Sequence, residues 1–490
     1  MRFNDESKDI IGTIFLALSI IMLGYMLISP FTQMIIHVDE YFTVTVLNFP
    51  VMDLIHATSH DVHPPLHYLI LKVVTEILTL MGIEFNKIFI YKLLSIVPYA
   101  IILVLSATKI KNEHGYLTAG LFSFSMAVMS EFFAYYLIMR MYSWATLFVI
   151  LAFIYLKDVL DKNDTKSWAL LTIFSVLAAY THYFAAIPIV CIYISLFAYL
   201  FINDKQKLKN WIISAICGII LFSPWILSLM GQMASVSESY WIPEITLEVI
   251  IGFLGYFVDS QNIGVCLLSI AILIVLIFIF LKQSSDINKR DKFYIISGIL
   301  AYLGTIAIGT AVSIILKPIL IDRYLMPSAA ILWFAISVLI GKINNKQKFL
   351  ISFVLILILL VAGTGHMISS NEQWNNNNVD KEAYFNQIIQ DNNSIVINAG
   401  YSYKTFTYLE YSNSTDMYLI KTTNDFYGFN LSELHDTFDF KEISENEIPK
   451  LIKDNEDKNI YIISKKSYSP ENFKTKTLID DGSMKYSKVL

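Results

Sequence analysis

Charge is scarce in this chain. Asp, Glu, Lys and Arg make up 16% of its 490 residues, against about 25% in an ordinary soluble domain. With a hydrophobic content of 55% and a mean hydropathy of +0.55, that scarcity excludes an ordinary water-soluble protein and implies one that spans a membrane many times. Cysteine is nearly missing too. Cys191, Cys217 and Cys266 lie in apolar stretches without CxxC spacing, which argues against a disulfide scaffold or a zinc site and reads as packed thiols. No basic patch of the kind that binds nucleic acid is present. The net charge of −5 is uneven: residues 371–490 hold 13 Lys against 19 Asp or Glu, leaving about +1 for the rest.

What the chain has in abundance is apolar runs near the length of about 20 residues that a helix needs to cross the hydrocarbon core. Candidate crossings are 10–29, 88–107, 116–130, 142–156, 167–182, 184–202, 210–229, 263–281, 293–316, 324–341 and 349–366, about eleven in all. Basic residues collect in every second connection: Lys109/Lys111, Lys157/Lys162/Lys166, Lys205/Lys207/Lys209, Lys282/Lys289/Arg290/Lys292 and Lys342/Lys346/Lys348, together with Arg2 and Lys8. Short cytoplasmic loops carry this excess, so the N-terminus is expected in the cytoplasm and residues 371–490 outside. Residues 66–82 are apolar but short, and Lys72 and Glu76 are costly at mid-bilayer. They are expected to form an interfacial or re-entrant helix with a solvated i, i+4 pair. Residues 246–258, after the Trp241-Ile242-Pro243 break, are expected to lie laterally on the outer face.

This topology carries Asp39, Glu40, Asp61, His63, Arg140, His182 and Arg323 to the outer ends of helices from widely separated parts of the chain. Ionisable groups converging at a bilayer surface mark a functional site. A transporter or lipid flippase is the alternative class. It would place such groups near the midplane on broken helices and often show internal repeats, whereas here they gather at one surface and no repeat is detected.

The residues in order are Asp39-Glu40, Asp61-x-His63-Pro64-Pro65-Leu66-x-Tyr68, Arg140-Met141-Tyr142-Ser143, Tyr180-Thr181-His182-Tyr183-Phe184, Pro224-Trp225 and Asp322-Arg323-Tyr324. This series resembles the GT-C superfamily of membrane glycosyltransferases, specifically the protein O-mannosyltransferase-like family 39 and its aminoarabinose-transferase relatives, over roughly residues 10–370. The resemblance implies a polytopic α-helical fold whose residues 1–370 form the transferase domain, with a catalytic first outer loop over 30–87. It further implies a hexosyl- or pentosyltransferase of the cell membrane that moves a sugar from a polyprenyl-phosphate donor to a glycan, lipid or protein acceptor on the outer face.

Such a reaction needs a base for the acceptor hydroxyl, typically worth about 10² to 10⁴ in rate. Asp39 is the expected base, and Glu40 either shares that role or orients the loop. The leaving polyprenyl phosphate gains negative charge as its bond breaks, which guanidinium groups stabilise. Arg140 and Arg323 are the expected phosphate contacts, with Tyr324, His182 and Tyr183 lining the donor site. Pro64 and Pro65 stiffen the loop beside Asp61, and His63 either keeps its geometry or binds acceptor or phosphate. No dense carboxylate cage is visible, so no metal and no other cofactor is expected. Relatives often carry Glu two residues before the Arg-x-Tyr arginine; this chain has Ile138 there, with Glu131 nearby.

From 371 the texture changes. A polar, Asn-rich stretch, 371–380, reads as a linker. After it, helical candidates Lys381–Gln390 and Glu447–Lys453 interleave with strand-like Ser394–Asn398, Asp416–Ile420 and Asn459–Ser464. The pattern predicts a small α/β extracytoplasmic domain over 371–490. Its sequons at Asn392, Asn413 and Asn430 would be accessible there.

Overall fold

Side-chain caps open many of the apolar runs. Asn86 Oδ1 accepts from Phe89 N at 3.1 Å, Asp164 from Ser167 N at 2.7 Å, and Asn262 and Asn288 cap the helices Ile263–Gln283 and Lys289–Ile315. Each satisfies a backbone donor that would otherwise be orphaned at a helix start. The computed structural model describes residues 4–32, 39–238, 242, 244–259, 261–399, 416–420, 428–429, 431–465, 473–480 and 484–490. Trp241, Pro243, Asn413 and Asn430 fall outside the described residues.

All eleven expected crossings are helical. Among the described residues nine helices are long and apolar enough to span a bilayer, or ten if the bent pair Tyr116–Val128 and Glu131–Leu137, turned by 70°, is one span. The expected straight crossing at 116–130 breaks because Met129 leaves the helical region, with φ −68° and ψ 128°. Thr165–Thr181, with 17 residues, sits at the lower limit of about 17 to 25 residues for a span. The 66–82 stretch forms the helix Leu66–Leu80, and 246–258 forms Leu247–Gly255. Lys72 pairs with Glu76 at 3.3 Å, but the lysine is buried, so only the glutamate end of that pair is solvated.

Two compact units emerge. One joins residues 1–32 to 62–371; the other joins the segment ending at Asp61 to residues 372–490. In the helical unit the span Asp322–Lys342 is 94% buried and Lys205–Ala234 only 11%, so the first is the axis and the second faces lipid. The helix Asp5–Thr32 packs on Tyr116–Val128 with backbones touching. A Cβ on Gly120 would lie 2.2 Å from the Gly12 carbonyl oxygen, and small residues permit that approach in membrane helices. Ser19 and Ser123 share a hydrogen bond of 2.9 Å beside it.

One end of this unit is an ion-pair network drawn from the basic loops. Lys109 and Lys162 both reach Asp158, at 2.7 and 3.0 Å, while Lys342 reaches Asp291 at 3.1 Å and Arg290 pairs with Asp161.

The last helix runs without interruption over Lys346–Gln390, 45 residues. The Asn-rich stretch 371–380 is therefore helix rather than linker, since no Gly or Pro occurs between Gly365 and Ala399 to break it. Beyond it stand β1 (Ser394–Ala399), β2 (Asp416–Ile420), β3 (Lys441–Ile443), β4 (Asn459–Lys465), β5 (Thr475–Asp480) and β6 (Met484–Val489), in the order β3-β2-β1-β4-β6-β5. The first four are parallel, and β6 runs antiparallel to β4 and β5. Ile395, Ile397, Ile443, Ile448, Ile460 and Ile462 form the core of this sheet. This is the small α/β domain the sequence pattern predicts, with β3, β5 and β6 added.

Candidate functional site

His182 is the pivot of the helical unit's other end. Its extended backbone, φ −157° and ψ 132°, ends Thr165–Thr181 and opens Tyr183–Asn203, and its Nδ1 accepts from Phe184 N at 3.1 Å. A nitrogen that accepts carries no proton, so the neutral ring holds its hydrogen on Nε2. That Nε2 is buried and has no hydrogen-bond partner among the described residues.

Around it the structure gathers residues from four separate stretches. The His63 ring lies 5.2 Å from that of His182, Tyr324 lies 4.6 Å away and Tyr142 5.4 Å. Arg323 is placed over the Tyr142 ring, 5.9 Å from its centroid, and Arg140 makes a long hydrogen bond of 3.4 Å to Tyr68. Arg140 sits in the non-helical stretch between Ser130–Leu137 and Tyr142–Asp161, following Ile138, whose φ of −101° and ψ of 136° end the first of these helices. Asp322 supports the next residue by accepting from the Arg323 backbone N at 2.7 Å and from Gln261 at 3.1 Å. Pro64 and Pro65 are buried, and Pro65 is the N-cap of Leu66–Leu80.

The electrostatics of the two histidines agree. Burial, then the Arg140 guanidinium, then Arg323, pushes His182 down to about 3. Burial first, then Arg140, His182 and Arg323, holds His63 well below the ordinary imidazole value. Both rings are thus neutral hydrogen-bonding groups in a positive field, a setting suited to an anion. Glu131 answers to the same end of the bundle: with Asp322 it adds to burial in raising the Tyr256 hydroxyl.

His63, His182, Tyr183 and Tyr324 line a cavity of about 650 Å³. Its remaining walls are largely apolar, from Phe184, Ile187, Leu229, Met233, Val312 and Ile315, and Lys317 also lines it. Trp225 Nε1 donates to Tyr183 Oη at 2.8 Å, and that hydroxyl donates to Gln232, fixing one wall. Sequence reasoning assigned neither Lys317 nor Gln232 to the site. Only the Pro224-Trp225 motif pointed at this wall. Tyr180 turns away, donating to Leu221 O at 3.0 Å.

Asp39, Glu40 and Asp61 belong to the second unit. Asp39 is the N-cap of the helix Glu40–Val46 and is half-buried; Glu40 is 1% exposed. Negative charge at these positions suits the helix dipole. Asp61 is half-buried in the bend after Val51–Ser59, its backbone N bonded to Thr58 O at 3.3 Å.

Comparison with known proteins bears on the helical unit first. A profile of the dolichyl-phosphate-mannose-protein mannosyltransferase family matches residues 62–227. Among solved structures, ArnT from Cupriavidus metallidurans in the apo state superposes with a TM-score of 0.60 at 10% identity, covering 97% of each chain. The same protein bound to undecaprenyl phosphate gives 0.58 at 10% identity, again over 97% of each. An Archaeoglobus fulgidus oligosaccharyltransferase gives 0.43 at 9% identity, over 92% of this chain and 68% of that one. No curated protein sequence matches the chain. The fold is thus that of a GT-C polytopic membrane protein. Within that fold, residues 62–227 are similar to the mannosyltransferase family.

Proposed function

We propose that the protein transfers a sugar from a polyprenyl-phosphate donor to an acceptor hydroxyl on the outer face of the membrane. The observation that carries this reading is the apolar cavity ending at two neutral histidines, with Lys317 on its wall and the fields of Arg140 and Arg323 on both rings. A long apolar chain with an anionic head matches such a lining. Support comes from the ArnT fold, one structure of which holds undecaprenyl phosphate.

In this mechanism Asp39 takes the proton of the acceptor hydroxyl as its oxygen attacks the anomeric carbon, and Glu40 orients the loop or shares the proton. The bond from that carbon to the phosphate oxygen breaks. Its electron pair stays on the polyprenyl phosphate, where Arg140 and Arg323 stabilise a charge larger in the transition state than in the ground state. His182 Nε2–H and the Tyr183 and Tyr324 side chains orient the head group, while His63, Pro64, Pro65 and Asp61 keep the loop's shape. The acceptor is a glycan, lipid or protein hydroxyl. The N-terminus and the basic loops face the cytoplasm and the C-terminal unit faces outward.

The purified protein, incubated with undecaprenyl phosphate linked to mannose or to aminoarabinose and with lipid and protein acceptors, should release undecaprenyl phosphate. Asp39→Asn should abolish most of that release while keeping donor binding. Full turnover in Asp39→Asn with loss in Glu40→Gln would move the base to Glu40. Transbilayer movement of the lipid with its sugar still attached would instead favour a flippase.

A further inference from the structure

The acidic pair lies in the same compact unit as the C-terminal sheet, and the contacts inside that unit are specific. Phe49, 1% exposed, follows the wholly buried helix Glu40–Val46. Its ring stacks on Phe429 at 5.0 Å and 23° and meets Phe438 edge-on at 5.6 Å and 77°. His56 also meets Phe429 edge-on, at 5.0 Å and 77°. Offset and edge-on pairs of this kind are favourable beyond their buried area.

Gly428 completes the fit. Its φ is +86°, a conformation that side chains resist. A Cβ there would also lie 2.7 Å from His56 Nε2 and 2.9 Å from His60 Nδ1. The two imidazoles, one helical turn apart, are held in place by the His60 Nδ1 contact to His56 O at 3.0 Å. Glycine fits there without such a clash, and the next residue, Phe429, packs against both Phe49 and His56.

We propose that Gly428 and Phe429 are positioning residues for the transfer reaction: the C-terminal unit clamps the segment 40–59 and so holds the Asp39–Glu40 carboxylates in one orientation. The proposal rests on the reading of that pair as the base. A misplaced base loses rate without losing the donor, because small displacements from attack geometry are costly for turnover and Phe429 is not one of the residues described as lining the donor cavity.

The test combines hydrogen exchange with kinetics on the full chain in detergent, using undecaprenyl-phosphate mannose and undecaprenyl-phosphate aminoarabinose as donors. Phe429→Ala and Gly428→Ala should raise exchange over residues 40–59 at least tenfold while β1 and β4 keep their protection. kcat should fall about tenfold with donor KM unchanged, and Phe429→Tyr should restore both. If Phe429→Ala also strips protection from β1, Phe49→Leu makes the same test from the opposite side of the stack. Unchanged exchange over 40–59 overturns the clamp. So does loosened exchange with normal kcat in a background where Asp39→Asn abolishes turnover. If Asp39→Asn and Glu40→Gln both keep full turnover, the base assignment has failed, and the exchange result still decides the clamp.

Discussion

The two ends of the helical unit are built from different polar groups. At one end cations meet carboxylates: Lys109 and Lys162 on Asp158, and Lys342 on Asp291. At the other, roughly 30 Å along the helix Tyr142–Asp161 by its rise per residue, two imidazoles are kept neutral first by burial and then by Arg140 and Arg323. Compensated charge ties helices together. Neutral imidazole donors beside guanidinium groups are instead suited to a ligand with an anionic head.

That contrast breaks most directly at the arginines. Arg140→Lys should lower turnover about 100-fold, because lysine cannot reproduce bidentate contact with phosphate. Arg323→Lys should do the same if that group also meets the leaving oxygen, and should have a milder effect if it only orders the start of its helix. Stopped-time assays of undecaprenyl phosphate release would show it, and chelator should leave the wild-type rate unchanged. Recovery of a chelated enzyme on adding Mg²⁺ or Mn²⁺ would assign the developing charge to a metal instead.

A smaller effect is expected at His182. With its folded value near 3, the ring is neutral across about pH 5 to about pH 8, where a free imidazole would titrate. kcat should therefore show no limb from this residue in that window. His182→Gln, which keeps a donor, should weaken donor binding about threefold, and His182→Ala about tenfold. A limb near the free imidazole value that vanishes in His182→Gln would contradict the burial argument.

The smallest effect on catalysis belongs to the opposite end. Asp158→Asn should leave turnover per folded molecule unchanged and cost about 2 kcal/mol of stability, discounted because its partner Lys162 is 61% exposed. Thermal unfolding monitored alongside activity separates the two. A loss of kcat at equal folded fraction would mean that the ends communicate.

Legibility differed by scale. The strands Ser394–Asn398, Asp416–Ile420 and Asn459–Ser464 were readable because their apolar residues form compact runs. β3 spans three residues with two exposed, and β5 and β6 are interrupted by Lys476, Lys485 and Lys488, so their pattern resembles a loop. In the site, His182 and Tyr324 were readable as ionisable or aromatic groups at helix ends. Lys317 and Gln232 were not, since one looks like any outer-loop lysine and the other like any polar residue near a helix end.

From sequence alone follow the membrane class, the position of the apolar helical stretches and the separation of basic loops from the acidic and histidine-bearing ones. These depend on local apolar length and on charge counted loop by loop, quantities that need no partner. Only the tertiary structure decided that residues 63, 182 and 324 meet around one cavity with Tyr142 packed against them, that His182 presents Nε2, and that the acidic pair folds with the C-terminal sheet through Phe49, His56 and Phe429. Those outcomes depend on which helix faces pack together and on how far burial desolvates each ring, and neither is a property of any single stretch of sequence.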